Sequence, residues 1–268
     1  MRGALTARVS EQVDNFLYKA PLEHDAHLIA RFLHLVQKAF PRDESSNIMG
    51  QDLQKNKEKN MLSIYLYALD TMADWEIGHI MAELGSKRFF KDGAPELSVK
   101  VCALSKEPVK TMGGLTITPD CGLDEIVMDD KSLLLLPGAT VWDEPKHGAA
   151  VQKAAELLSL GGTVAAICGA TLALAHAGLL DKRPHTSNGT GFLEMFCPTY
   201  KGKDFYVDLP AVADGNLITA SATGSLMWAK LIIQKLGVFK PQTLEAWFAY
   251  FSAGKAEDFF ALMQSLQQ

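Results

Sequence analysis

From residue 61 onward, apolar positions fall into two periods. Short apolar runs at Leu62 to Leu69, Leu97 to Leu104, Ser132 to Leu136 and Thr163 to Ile167 have the length and aliphatic content of buried strands. Between them, Trp75 to Leu84 places Ile77, Ile80, Met81 and Leu84 on one helical face, and Gly148 to Leu160 does the same with Val151, Ala154, Ala155 and Leu158. Lys110 to Asp120, split by Gly113-Gly114, reads as a hairpin or a pair of short edge strands. Further on, Arg183 to Asn188 reads as extended and Glu194 to Phe196 as a brief helix. Phe205 to Val212 and Leu217 to Ala220 flank a turn at Asp214-Gly215-Asn216, and Ser225 to Leu236 is helical. Strands separated by helices predict an α/β chain with a mainly parallel sheet, helices on both faces and right-handed crossovers.

The two ends read differently. Residues 1–60 form an N-terminal appendage: Asp25 to Phe40 carries an apolar helical stripe stopped by Pro41, and Gln51 to Asn60 is a polar, Lys-rich linker. His24, His27 and His34 lie within it without acidic or thiol companions, which favours surface histidines over a metal site. A start at Met61, directly before the first strand, is an alternative that makes this leader dispensable. Residues 61–240 hold the α/β pattern. Residues 241–268 form a C-terminal helical extension with one stripe at Leu244, Trp247, Phe248 and Phe251 and another at Phe259, Phe260 and Met263, expected to pack on the domain or a dimer interface.

Composition narrows the partners. A formal net charge of −5 and a pI near 5.8 leave no basic footprint for nucleic acid. Four cysteines without paired spacing predict neither a disulfide framework nor a metal site, and suggest a reducing cytoplasm. No run approaches the roughly 20 apolar residues of a membrane span, and Met1 to Ser10 has no apolar core of a secretory signal. No cofactor is expected.

The chemistry concentrates at Cys168. Thr163 to Ile167 reads as a strand and Ala170 to Ala177 as a helix ending at Gly178, so only Cys168 and Gly169 stand between them. A side chain at so sharp a strand-to-helix turn projects at the carboxyl edge of the sheet, where unpaired helix-start N–H groups converge, as in a nucleophile elbow. Their partial positive charge predicts a thiol more acidic than the usual value of about 8.5. Cys102, Cys121 and Cys197 read as structural. Glu76, in the first turn of its helix, and the Gly138 loop also follow strands, so all three can meet at one sheet edge.

Three segments together resemble the ThiJ/PfpI family of the class I glutamine amidotransferase-like superfamily. They are Ala73-Asp74-Trp75-Glu76, Leu135-Leu136-Pro137-Gly138-Ala139, and Ala166-Ile167-Cys168-Gly169-Ala170 with Ala177-Gly178-Leu179-Leu180-Asp181 behind it. The match covers about residues 61–240. The resemblance implies a flavodoxin-like three-layer sandwich, Cys168 as the reactive cysteine, Glu76 as the acid facing it, and the Gly138 and Gly169 amides as oxyanion donors. It also implies a homodimer and a small-molecule substrate. Departures weigh on the reaction. Gly169 stands where peptidase-like and glyoxalase-like members tend to have histidine, and no histidine lies between Asn216 and Gly237, where an amidotransferase needs His-x-Glu. Other members carry a histidine where Ser187 aligns; His185, two residues earlier, is on the same side of an extended chain and is a candidate substitute. The expected function is cysteine-dependent hydrolase or lyase chemistry on a small carbonyl or amide electrophile, of a glyoxalase or deglycase kind, rather than peptidase or amidotransferase activity. A redox-sensing stress protein using the same thiol is the alternative.

Overall fold

The computed structural model describes residues 61–267. The strands are β1 (Leu62–Tyr67), β2 (Leu97–Ala103), β3 (Val109–Lys110), β4 (Thr116–Ile117), β5 (Cys121–Gly122), β6 (Ser132–Leu136), β7 (Thr163–Ile167), β8 (Ala211–Asp214) and β9 (Leu217–Ala220). The helices are α1 (Asp74–Ser86), α2 (Gly148–Ser159), α3 (Gly169–His176), α4 (Phe192–Phe196), α5 (Ser225–Leu236), α6 (Pro241–Ala253) and α7 (Ala256–Ser265). Seven strands form one sheet in the order β5-β2-β1-β6-β7-β9-β8, parallel throughout except where β8 runs against β9. The protein is thus an α/β sandwich of the flavodoxin-like kind.

The central strands are apolar because both of their faces are covered. Every residue of β6 and β7 is buried, and α1, α5 and α6 pack together while α2 packs on β6 and β7. The predicted hairpin forms as the separate antiparallel pair β3–β4. The predicted strand from Phe205 shortens to β8: Pro210 has no N–H to give to a ladder, and Lys203–Phe205 turns as a 3₁₀ segment. Strand β5, two residues long, carries no periodicity that a sequence could reveal.

The α6–α7 extension is fastened by one buried carboxylate. Glu83 of α1, 1% exposed, accepts the Trp247 indole N–H at 3.0 Å and the Arg88 Nε–H at 3.1 Å. Rings of His79, Phe239 and Phe251 pack around Trp247. A buried carboxylate is tolerated only when its lone pairs are engaged, as they are here. Among the described residues, no helix is long and apolar enough to cross a membrane, and no cluster of three or more His, Cys, Asp or Glu could hold a metal ion. The N-terminal appendage and its three histidines lie outside the described residues.

Candidate active site

Cys168 sits at the abrupt turn between β7 and α3 with φ 57° and ψ −123°, a conformation costing a non-glycine residue about 1–3 kcal/mol. The neighbours hold it there. Its N–H donates to Ala220 O at 2.9 Å, and its carbonyl accepts the Thr171 N–H at 3.0 Å and the Thr171 hydroxyl at 2.6 Å. Three hydrogen bonds of about 1 kcal/mol each suffice to offset the strain. The side chain is half-buried, so the sulfur is neither sealed in packing nor loose in solvent. Gly169 has to be small: a Cβ there would lie 2.8 Å from Ala139 O.

The second wall is the turn after β6, pinned to the turn after β1. Ala73 N–H donates to Gly138 O at 2.9 Å, Thr140 N–H donates to Thr71 Oγ1 at 3.0 Å, and the Trp142 indole donates to Pro137 O at 2.8 Å. This brings Glu76, wholly buried in the first turn of α1, against Cys168. A Cβ on Gly138 would stand 2.7 Å from Cys168 Cβ and 2.8 Å from Glu76 Oε2, so glycine is what lets the two side chains converge.

The Gly138 amide has another use than the one expected of it. It donates to Glu76 Oε2 at 2.6 Å and so orients the carboxyl instead of waiting for an oxyanion. The other carboxyl oxygen, Oε1, is buried with no other hydrogen-bond partner. Gly169 N–H lies at the sulfur, where its interaction favours the ionised thiol, and the neighbouring Ala139 N–H meets no acceptor among the described residues. Ala139 N would lie 3.4 Å from a Cβ on Gly169, so the two residues are close neighbours.

Ionisation also departs from the sequence expectation. Burial first, and the facing Glu76 carboxylate second, push the Cys168 thiol up to about 11; the Asn188 and Gly169 N–H groups pull only partly the other way. Burial likewise raises Glu76, against the Gly138 amide and the Cys168 contact. The helix-start field is therefore outweighed by desolvation and a like charge, and the thiol keeps its proton at neutral pH.

His185 is not brought to this pair. It is wholly buried, with Nδ1 2.7 Å from Arg183 O and Nε2 2.6 Å from the Tyr200 hydroxyl, so both ring nitrogens are committed elsewhere. Its stretch is not a strand: one isolated bridge to Tyr206 is all the pairing it has. Ser187 is buried and exchanges a 2.7 Å hydrogen bond with Thr171, supporting the elbow from behind. The residue that does reach the sulfur is Asn188, which sequence reasoning missed. Its Nδ2 donates to Cys168 Sγ at 3.4 Å and its Oδ1 accepts the Ala222 N–H at 2.9 Å, while the indole of exposed Trp75 donates to Ala222 O at 3.3 Å.

A strained cysteine elbow at the carboxyl edge of a parallel sheet, with a buried carboxyl against it, defines the class of the amidotransferase-like α/β proteins. The chain belongs to the DJ-1/PfpI family, whose profile matches residues 62–235. It is 45% identical over 205 residues to the uncharacterized protease YoaZ of Bacillus subtilis, spanning 76% of this chain and 98% of that one. A solved ThiJ/PfpI family protein from Bacillus anthracis is 44% identical with a TM-score of 0.75, covering 78% of this chain and 98% of the other. The deglycase PfpI of Pyrococcus furiosus is 25% identical over 140 residues, 52% of this chain and 82% of its own.

Proposed function

We propose that this protein is a cysteine-dependent hydrolase or lyase acting on a small carbonyl or amide electrophile. The observation that carries it is the Glu76–Cys168 pair: a strained, half-buried nucleophile whose proton has one near carboxyl to go to. As Cys168 Sγ bonds to the electrophilic carbon, its proton passes to Glu76 and the C=O π pair moves onto oxygen. The Ala139 and Gly169 amides receive that oxyanion. Glu76 then returns the proton, to the leaving amine in a hydrolysis or to the adduct in a lyase step, and water or elimination frees the thiol. Asn188 steadies the sulfur throughout. The deglycase label of the Pyrococcus relative suits this electrophile class.

Peptidase chemistry draws less support despite the label of the Bacillus relative, because His185 is engaged elsewhere and Gly169 follows the cysteine. The redox-sensing alternative uses the same thiol, and turnover decides between the two. Turnover of methylglyoxal and of glycated amino acids by the full chain tests the reading. Loss of turnover by about a hundredfold or more in Cys168→Ala is expected. No turnover on either substrate, with stoichiometric sulfinic acid at Cys168 after mild peroxide, would overturn it in favour of the sensor.

A further inference from the structure

A pair of thiols lies toward the far edge of the sheet, with β1 and β6 between the Cys102 strand and β7. Cys102 of β2 and Cys121 of β5 are register partners, and Tyr67 of β1 extends the same row. Residues in register on adjacent parallel strands point to the same face of the sheet. Neighbouring strands lie roughly 4.7–4.9 Å apart, within the Cα–Cα range of about 4.4–6.8 Å that a disulfide spans. Both thiols are free, and each is close enough for the charge of Cys121 to act on Cys102.

The two differ in access. Cys102 is wholly buried, whereas Cys121 is 9% exposed on the outermost strand of the sheet, where burial, Glu125 and Asp120 oppose its thiolate and Lys100 and Lys106 favour it. Cys121 is thus the nearer of the two to solvent.

We propose that Cys102 and Cys121 form a dithiol site that reduces a hydroperoxide and closes to an intrachain disulfide, independently of Cys168. The Cys121 sulfur attacks one peroxide oxygen; an S–O bond forms as the O–O bond breaks, and the departing oxygen leaves as water or alcohol. The Cys102 sulfur then attacks Cys121. The S–S bond forms, the S–O bond breaks, and the hydroxide takes the remaining thiol proton as water. The hydroperoxide gains two electrons and each sulfur gives one. Burial pushes the Cys102 thiol up to about 12 and also raises Cys121, so closure answers sustained oxidant exposure and is slow beside a low-pKa peroxidatic cysteine. The closed loop contains the β3–β4 pair, whose tip is fixed by Gly113 N–H donating to Asp74 at 2.7 Å.

The test uses the full chain carrying Cys168→Ser, so that failure of the catalytic reading leaves it untouched. The protein is exposed to hydrogen peroxide, denatured, alkylated, and its peptides are mapped by mass spectrometry without reduction. Expected are loss of two alkylatable thiols and one peptide joining positions 102 and 121, reopened by dithiothreitol. In the same chain with Cys121→Ser, the crosslink disappears and Cys102 stays alkylatable. Full alkylation of both thiols after prolonged peroxide, or sulfinic acid at Cys121 beside a reduced Cys102, would overturn the proposal.

Discussion

Asn188 Nδ2 stands 3.4 Å from Cys168 Sγ while the same side chain takes the Ala222 amide on its oxygen, so one amide group ties the nucleophile to the turn after β9. The Ala222 peptide is held from its other end by Trp75, the residue before Glu76. A chain of hydrogen bonds therefore runs along the rim of the site from the acid-bearing helix to the sulfur.

Removing that donor has a defined sign. In Asn188→Ala the thiolate loses a stabilising N–H, so the thiol moves further up and turnover falls by about tenfold, or about 1.4 kcal/mol. Asn188→Asp places a carboxylate on the sulfur and falls further. Rates of iodoacetamide labelling at Cys168 and of methylglyoxal turnover check both; equal rates in Asn188→Ala and the parent would remove Asn188 from the site.

The strain at the elbow can be isolated by comparing two inactive variants. Cys168→Ala keeps a Cβ at φ 57°, and Cys168→Gly does not. The glycine variant is expected to be more stable than the alanine variant by about 1–3 kcal/mol in urea denaturation. An alanine variant as stable as the glycine one would show that the turn stores no strain.

Glu76 sets a pH dependence of stability. Its folded-state value is raised above the ordinary 4.5 by burial, so the folded protein binds this proton more tightly than the unfolded chain. The associated stability is complete below the ordinary value and is lost as pH rises through the folded one. Glu76→Gln keeps an oxygen for the Gly138 amide and removes the titration. It is expected to match the parent in acid and to exceed it at neutral pH, measured by denaturation across that range. A parent whose stability rises with pH over the same window, with Glu76→Gln parallel to it, would contradict the raised value.

The layered architecture and the elbow were legible in the chain because they rest on local signals. The apolar run of β7 and the small residues of α3 bracket Cys168 closely enough to force the turn. Tertiary features were not legible. Glycine at 138 was read as a place of close approach, which it is, but whose atom its amide would meet depends on how deep Glu76 is buried. The thiol's direction of shift came out opposite because the helix-start field is visible in sequence and desolvation is not. His185 was placed by strand parity in a segment that pairs at one bridge, and Asn188 reaches Cys168 across 20 residues of irregular chain that no period marks.

The claim on which the catalytic account turns is that burial and the facing Glu76 carboxyl together keep the Cys168 thiol protonated. Thiolate ultraviolet absorbance, titrated in the parent protein and in Glu76→Gln, with Cys168→Ala subtracted from each, measures it directly. The account predicts a Cys168 thiol ionising near 11 in the parent and at clearly lower pH once the carboxylate is gone. A thiolate already present at neutral pH in the parent, or a titration that Glu76→Gln leaves in place, would contradict it.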